Sequence, residues 1–127
     1  MKKIISTDHA PAAIGPYSQA IRYGNLLFVS GQIALDPETG ELVEGDIEVQ
    51  TKQVMENLQA IIKEAGMTLQ NVLKCSCFLK DMEDFAEFNA VYNSYLAESL
   101  PARETVEVAR LPKDVRVEVS AICGSEK

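Results

Sequence analysis

Histidine occurs once in this 127-residue sequence, at His9, and cysteine three times, at Cys75, Cys77 and Cys123. A single histidine removes much common chemistry. A Ser-His-Asp triad would need it beside a serine and an acid, yet His9 sits in an irregular N-terminal stretch. Structural zinc takes about four Cys or His ligands at set spacings, which this chain cannot assemble, so no metal is expected. Cys75 and Cys77 alternate along a run with Leu73 and Leu79. They lack the Cys-x-x-Cys spacing at a helix start that lowers a thiol pKa, so they read as small buried apolar residues. Cysteines in odd number, without a secretory address, read as free thiols in a reducing cytosol.

Long apolar runs are also missing. A membrane-spanning helix needs about 20 apolar residues in succession, and no stretch approaches that. The start, Met1 to Ser6, carries positive charge, but Asp8 and His9 interrupt it before an apolar segment develops. It does not read as a signal peptide, and a cytoplasmic protein without membrane contact is expected. Positive charge is scarce overall, with 12 Lys and Arg against 19 Asp and Glu and a formal charge of −7. Nucleic-acid binding depends on cations that neutralise phosphates, so a nucleic-acid partner is not expected. No glycine-rich phosphate loop occurs, and a nucleotide cofactor is unsupported.

What the chain does have fits one compact domain over residues 1–127, with 46% hydrophobic residues. Gln19 to Tyr23 and Leu26 to Ser30 flank Gly24-Asn25, a tight hairpin link. Leu26 to Val29 is apolar on both faces, as in a central strand. Residues 36–46 carry turn chemistry, with a possible short strand at Leu42-Val43. Apolar residues at helical spacing over 47–65 predict an amphipathic helix that Gly66 ends. Val72 to Lys80 alternates as a strand. A second helix is predicted from Asp81, capped by that side chain, with Met82, Phe85, Phe88, Tyr92, Tyr95 and Leu96 on one face. Arg103 to Arg110 and Val115 to Ile122 are alternating strands. Helices interspersed with strands imply an α+β sandwich, a single sheet with two helices packed on one face. The other face is expected to meet another subunit, because Val106, Val108, Val117 and Val119 share one side and Ala109 and Ile122 the other.

Candidate site residues follow from local chemistry. Arg103 enters its strand after Pro101-Ala102, and a guanidinium held on rigid backbone suits bidentate capture of a carboxylate. On pattern alone, a surface arginine paired with Glu104 or Glu107 is the simpler reading. Glu118 alternates with Val117 and Val119, and alone it is a solvent-facing acid. Tyr17 ends an apolar loop, Pro11 to Gln19. Ser30-Gly31 ends a strand with a hydroxyl and a residue that lets backbone come close to a ligand.

In combination these segments are specific. Ala10-Pro-Ala-Ala-Ile-Gly-Pro-Tyr-Ser-Gln19, Phe28-Val-Ser-Gly-Gln-Ile33, Pro101-Ala-Arg-Glu-Thr-Val-Glu-Val-Ala-Arg-Leu-Pro-Lys113 and Val117-Glu-Val119 closely resemble the RidA (YjgF) family, in order over essentially the whole chain. The resemblance implies a chorismate-mutase-like fold and a homotrimer with a central barrel and active sites between subunits. It also implies hydrolytic deamination of 2-enamine and 2-imino acids to 2-keto acids and ammonia, without a cofactor. Arg103 would hold the substrate carboxylate. Tyr17, Ser30 and Glu118 would surround the imine and the attacking water, with Glu118 transferring the proton. The backbone of Gly31 and Thr105 would donate or accept hydrogen bonds, and Phe85 and Asn89 would face the cleft. Glu104-Thr105 departs from the Ser-Cys of many relatives, which puts a thiol-dependent role there in doubt. The alternatives are a non-catalytic keto-acid-binding regulatory trimer and an RNA-cleaving translation inhibitor; the acidic charge balance opposes the latter.

Overall fold

In the computed structural model, which describes residues 1–126, six strands form one sheet in the order β1-β2-β3-β6-β4-β5. The strands are β1 (Lys2–Ile5), β2 (Ala20–Tyr23), β3 (Leu26–Gln32), β4 (Val72–Leu79), β5 (Ala102–Glu107) and β6 (Val117–Gly124). Helix α1 (Ile47–Glu64) precedes β4 and α2 (Phe85–Leu96) precedes β5. All neighbouring strands run antiparallel except β4 and β5, which are parallel and joined through α2. The expected α+β sandwich is what the chain adopts.

The two helices lie on one face of the sheet. Asp46 caps α1 by accepting from the Val49 N–H at 3.0 Å. The apolar stripe Val54, Met55, Leu58, Ile61 and Ile62 is fully buried against β3 and β6. Gly66, at φ 79°, turns the chain out of the helix. Beneath α1 lie alternate residues of the inner strands: Leu27 and Val29, Val117, Val119 and Cys123, and Cys75, Cys77 and Leu79. Strand alternation sends the intervening residues to the uncovered face. There Ile4, Tyr23, Leu26, Phe28, Leu73 and Val106 are exposed apolar side chains, beside a polar group in which Lys74 (3.1 Å) and Ser76 both engage the Glu104 carboxylate.

Several elements differ from the sequence reading, each for a physical reason. Strand β1 escaped notice because only Ile5 of its four residues is buried. A register shift between Val72 and Lys74 makes Leu73 the extra residue; it leaves the face of Cys75 and Cys77 and is exposed. Val106 lies opposite Phe78, and Val117 opposite Leu79, so Val106 is on the open face while Val117 and Val119 face the helices. The two C-terminal runs do not pair with each other: β6 enters between β3 and β4, and β5 takes the edge. Strand β5 stops at Glu107. Asp81 caps a short 3-10 turn, Met82–Asp84, and α2 proper starts at Phe85. Leu42 makes the expected short pairing, an isolated bridge to Leu35.

Phe88 is the largest fully buried side chain and anchors α2 on the sheet. Phe88→Ala should destabilise the fold by about 3–5 kcal/mol, read as a lower denaturant midpoint. Asp46→Ala should cost about 1 kcal/mol through loss of the α1 cap.

Candidate active site

Arg103 lies on the edge strand β5, level with Cys75 of β4. Its side chain is therefore on the helix-covered side, where it reaches α2. Nη1 donates to Asn89 Oδ1 at 2.6 Å. The guanidinium carbon stands 4.8 Å from the Tyr92 ring centroid and 5.5 Å from that of Phe85. Phe85, Asn89 and Tyr92 are spaced so that they share one stripe of α2. Neither neighbouring acid pairs with the arginine. Glu104 is engaged by Lys74 and Ser76, and Glu107 accepts from the Met82 N–H at 2.9 Å. Among the described residues no carboxylate neutralises Arg103, so most of its donor fork is free for an anion.

Thr105, also on β5, pairs with Cys77 and points to the helix side, where its hydroxyl is buried with the Cys77 thiol as a weak partner. The thiols beneath this half are poor nucleophiles. Burial pushes Cys77 up to about 12, with the Cys75 thiol adding to it, and Cys75 is raised chiefly by burial as well.

Glu118 faces the other way. It sits on β6 opposite Phe78, on the uncovered side of the sheet, half-buried in a cleft of about 310 Å³. Tyr17, Ile14, Ile33, Pro112 and Gly31 form much of its wall. The fit to Gly31 is tight: a Cβ there would come within 2.2 Å of Glu118 Oε2. Gly31 falls at a register break between Val29 and Gln32, where β3 slips relative to β6. Burial raises the Glu118 pKa above the ordinary 4.5.

The loop that carries Tyr17 is held by two side chains. Gln19, buried, accepts from the Thr7 N–H at 2.7 Å and donates to the Pro11 carbonyl at 2.7 Å. The Ser30 hydroxyl donates to the Ser18 carbonyl at 2.6 Å. Ser30 thus fastens the loop to β3, and its hydroxyl proton is already engaged. The candidate residues therefore divide into two groups within one chain. Arg103, Asn89, Phe85 and Thr105 gather under α2, and Tyr17, Gly31 and Glu118 gather on the open side. His9 lies apart from both, lining a hollow against α1 with Glu56 and Lys63.

The Endoribonuclease L-PSP family profile matches residues 7–124. The chain belongs to this family. It is the family that the motifs resembled under the name RidA/YjgF. A RutC family protein of Pyrococcus horikoshii is 57% identical over 126 residues, covering 99% of this chain and 100% of that one. The protein of Escherichia coli K12 named 2-iminobutanoate/2-iminopropanoate deaminase is 47% identical over 125 residues, covering 96% of this chain and 97% of its own. Among solved structures, Escherichia coli TdcF with bound serine has a TM-score of 0.93 at 42% identity, covering 98% and 99% of the two chains.

The sequence pointed to neither Gln19 nor Tyr92 as supports of the candidate site residues. A glutamine inside an otherwise apolar loop signals the first, since a buried amide must find partners. The second is indistinguishable from core by helical spacing. Gly31→Ala should displace the Glu118 side chain and abolish the half-buried position, seen as a return of the Glu118 titration toward ordinary carboxylate values by NMR. A carboxyl whose folded pKa is raised contributes stability below its unfolded pKa and loses it as pH climbs through the folded one. Glu118→Gln should therefore gain thermal stability relative to the parent as pH rises from below 4.5 toward neutrality. A difference in melting temperature independent of pH would count against the buried-carboxyl assignment.

Proposed function

We propose that this chain hydrolyses reactive 2-imino acids, such as 2-iminobutanoate and 2-iminopropanoate, to 2-keto acids and ammonia. The observation that carries the reading is an arginine with no carboxylate partner among the described residues, stacked on aromatic rings and held by Asn89. Such a guanidinium is a prepared receptor for a substrate carboxylate. The named activity of the Escherichia coli relative and the serine bound to TdcF point to the same ligand class, small amino-acid-like carboxylates.

The two groups of site residues lie on opposite faces of one sheet, so a complete site needs two copies of the chain. One copy supplies Arg103, Asn89, Phe85 and the Thr105 backbone. The other supplies Tyr17, Gly31 and Glu118, with Ser30 fixing the loop. Exposed Phe28, Leu26, Tyr23 and Val106 on the uncovered face support packing of copies through that surface, and a homotrimer with three such clefts is the assembly we infer. Each chain acts as a single domain.

In the cleft, the carboxylate docks on Arg103 and the iminium carbon is presented to a water molecule. Glu118 accepts a proton as the water oxygen bonds to that carbon, giving a carbinolamine. It returns that proton to nitrogen, then takes up the hydroxyl proton as the C–N bond breaks and the C=O bond forms; ammonia leaves, takes the proton from Glu118 as ammonium, and the keto acid is released. The iminium carbon is already electrophilic, so positioning and proton transfer suffice. Burial makes Glu118 a stronger base than an exposed carboxylate. No step calls on a cofactor.

The test couples the purified protein to an amino-acid oxidase or threonine dehydratase, with semicarbazide as an imine trap. The wild type should suppress semicarbazone and speed keto-acid release. Arg103→Ala should lose that effect, and Glu118→Gln should lower turnover about 100-fold or more while still binding 2-oxobutanoate. Binding without turnover in the wild type would instead make the protein a keto-acid-responsive regulator.

A further inference from the structure

Three side chains on the α2 stripe surround Arg103, and the innermost is the one that no motif singled out. Tyr92 is 7% exposed, whereas Phe85 and Asn89 are half-buried. Its ring is also nearer the guanidinium, at 4.8 Å against 5.5 Å for Phe85. Phe88 packs on Tyr92 with ring centroids 5.7 Å apart and planes tilted by 40°, so the ring is wedged in the core. We propose that Tyr92 is a positioning residue for the carboxylate-binding arginine: its core-packed ring is the plate that fixes the direction of the Arg103 fork. This rests on the reading of Arg103 as the carboxylate receptor.

The support is geometric. Arg103 springs from an exposed position on an edge strand, and a long guanidinium side chain left to itself there spreads over many rotamers. Asn89 fixes one point, Nη1. A single hydrogen bond still allows the planar group to swing about that contact; stacking on an aromatic face removes the remaining freedom. The Tyr92 hydroxyl is not the working part. It is buried, makes no hydrogen bond to nitrogen or oxygen among the described residues, and faces the Cys75 thiol, a weak partner. Burial raises the phenol pKa further, so the ring stays a neutral π surface. A phenyl ring at this position would therefore do the same work, and an aliphatic side chain of similar bulk would not.

The experiment compares wild type, Tyr92→Phe and Tyr92→Leu by calorimetric affinity for 2-oxobutanoate, by kcat and KM in the imine assay, and by thermal unfolding. Tyr92→Phe should keep affinity within about twofold. Tyr92→Leu should weaken binding and raise KM by about three- to tenfold, with kcat within about twofold. That split separates a tilted arginine from a loosened fold, which would lower kcat and the folded fraction together. If Tyr92→Leu does not fold, Tyr92→Met carries the same comparison. An unchanged KM in the aliphatic variant, a fall in kcat alone, or an equal loss in Tyr92→Phe would overturn the proposal. A wild type that neither binds 2-oxobutanoate nor turns over imines would instead overturn the parent reading and this inference with it.

Discussion

Period-two alternation through the central strand governs this molecule. On β6, Val117, Val119, Ala121 and Cys123 face the helices and are buried, while Glu118 and the residues between them face outward. The same alternation, carried through β4 to β5, puts Arg103 on the opposite side from Glu118. A one-residue slip anywhere in that ladder would expose the core face and exchange the two groups of site residues. Stability and the proposed chemistry thus depend on one register. The buried valines, which gain roughly 1.5–3 kcal/mol each from burial, hold Glu118 on the open face.

The two halves use different physics to prepare a polar group. Arg103 is exposed and is constrained by planar contacts and one short hydrogen bond. Glu118 has no such frame; partial burial beside Gly31 alters its proton affinity instead. In the proposed reaction a receptor for charge needs a fixed direction, and a proton carrier needs a tuned equilibrium. Each is obtained without disturbing the other because the sheet separates them.

Much of the fold was legible because its elements are locally consistent. The helix over 47–65 and the hairpin at Gly24-Asn25 each combine period with a stop signal. The strand order was not legible, since nothing in the β5 and β6 sequences says which will lie between β3 and β4. The bulge at Leu73 escaped for a related reason: alternation read from sequence assumes an unbroken register. At the site, family motifs picked out Arg103 and Glu118, which patterning alone left as surface charges. They did not reveal that Ser30 is spent on the Ser18 carbonyl, that Gln19 staples the loop, or that Tyr92 belongs with the arginine. Those are tertiary contacts between segments, invisible to any window along the chain.

The sheet order has a consequence for how the chain acquires its shape. The first three strands form one ribbon, β4 with α2 and β5 forms another, and within the sheet of the described residues only β6 joins them. Because β6 follows every other strand in the chain, the ribbons cannot be sealed until it arrives, and its inward face is the last apolar layer to be covered. Closing such distant segments is slow compared with forming helices or hairpins. During synthesis the unsealed edges of β3 and β4 are therefore the surfaces most open to wrong pairing, and the final strand works as the clasp that ends that exposure.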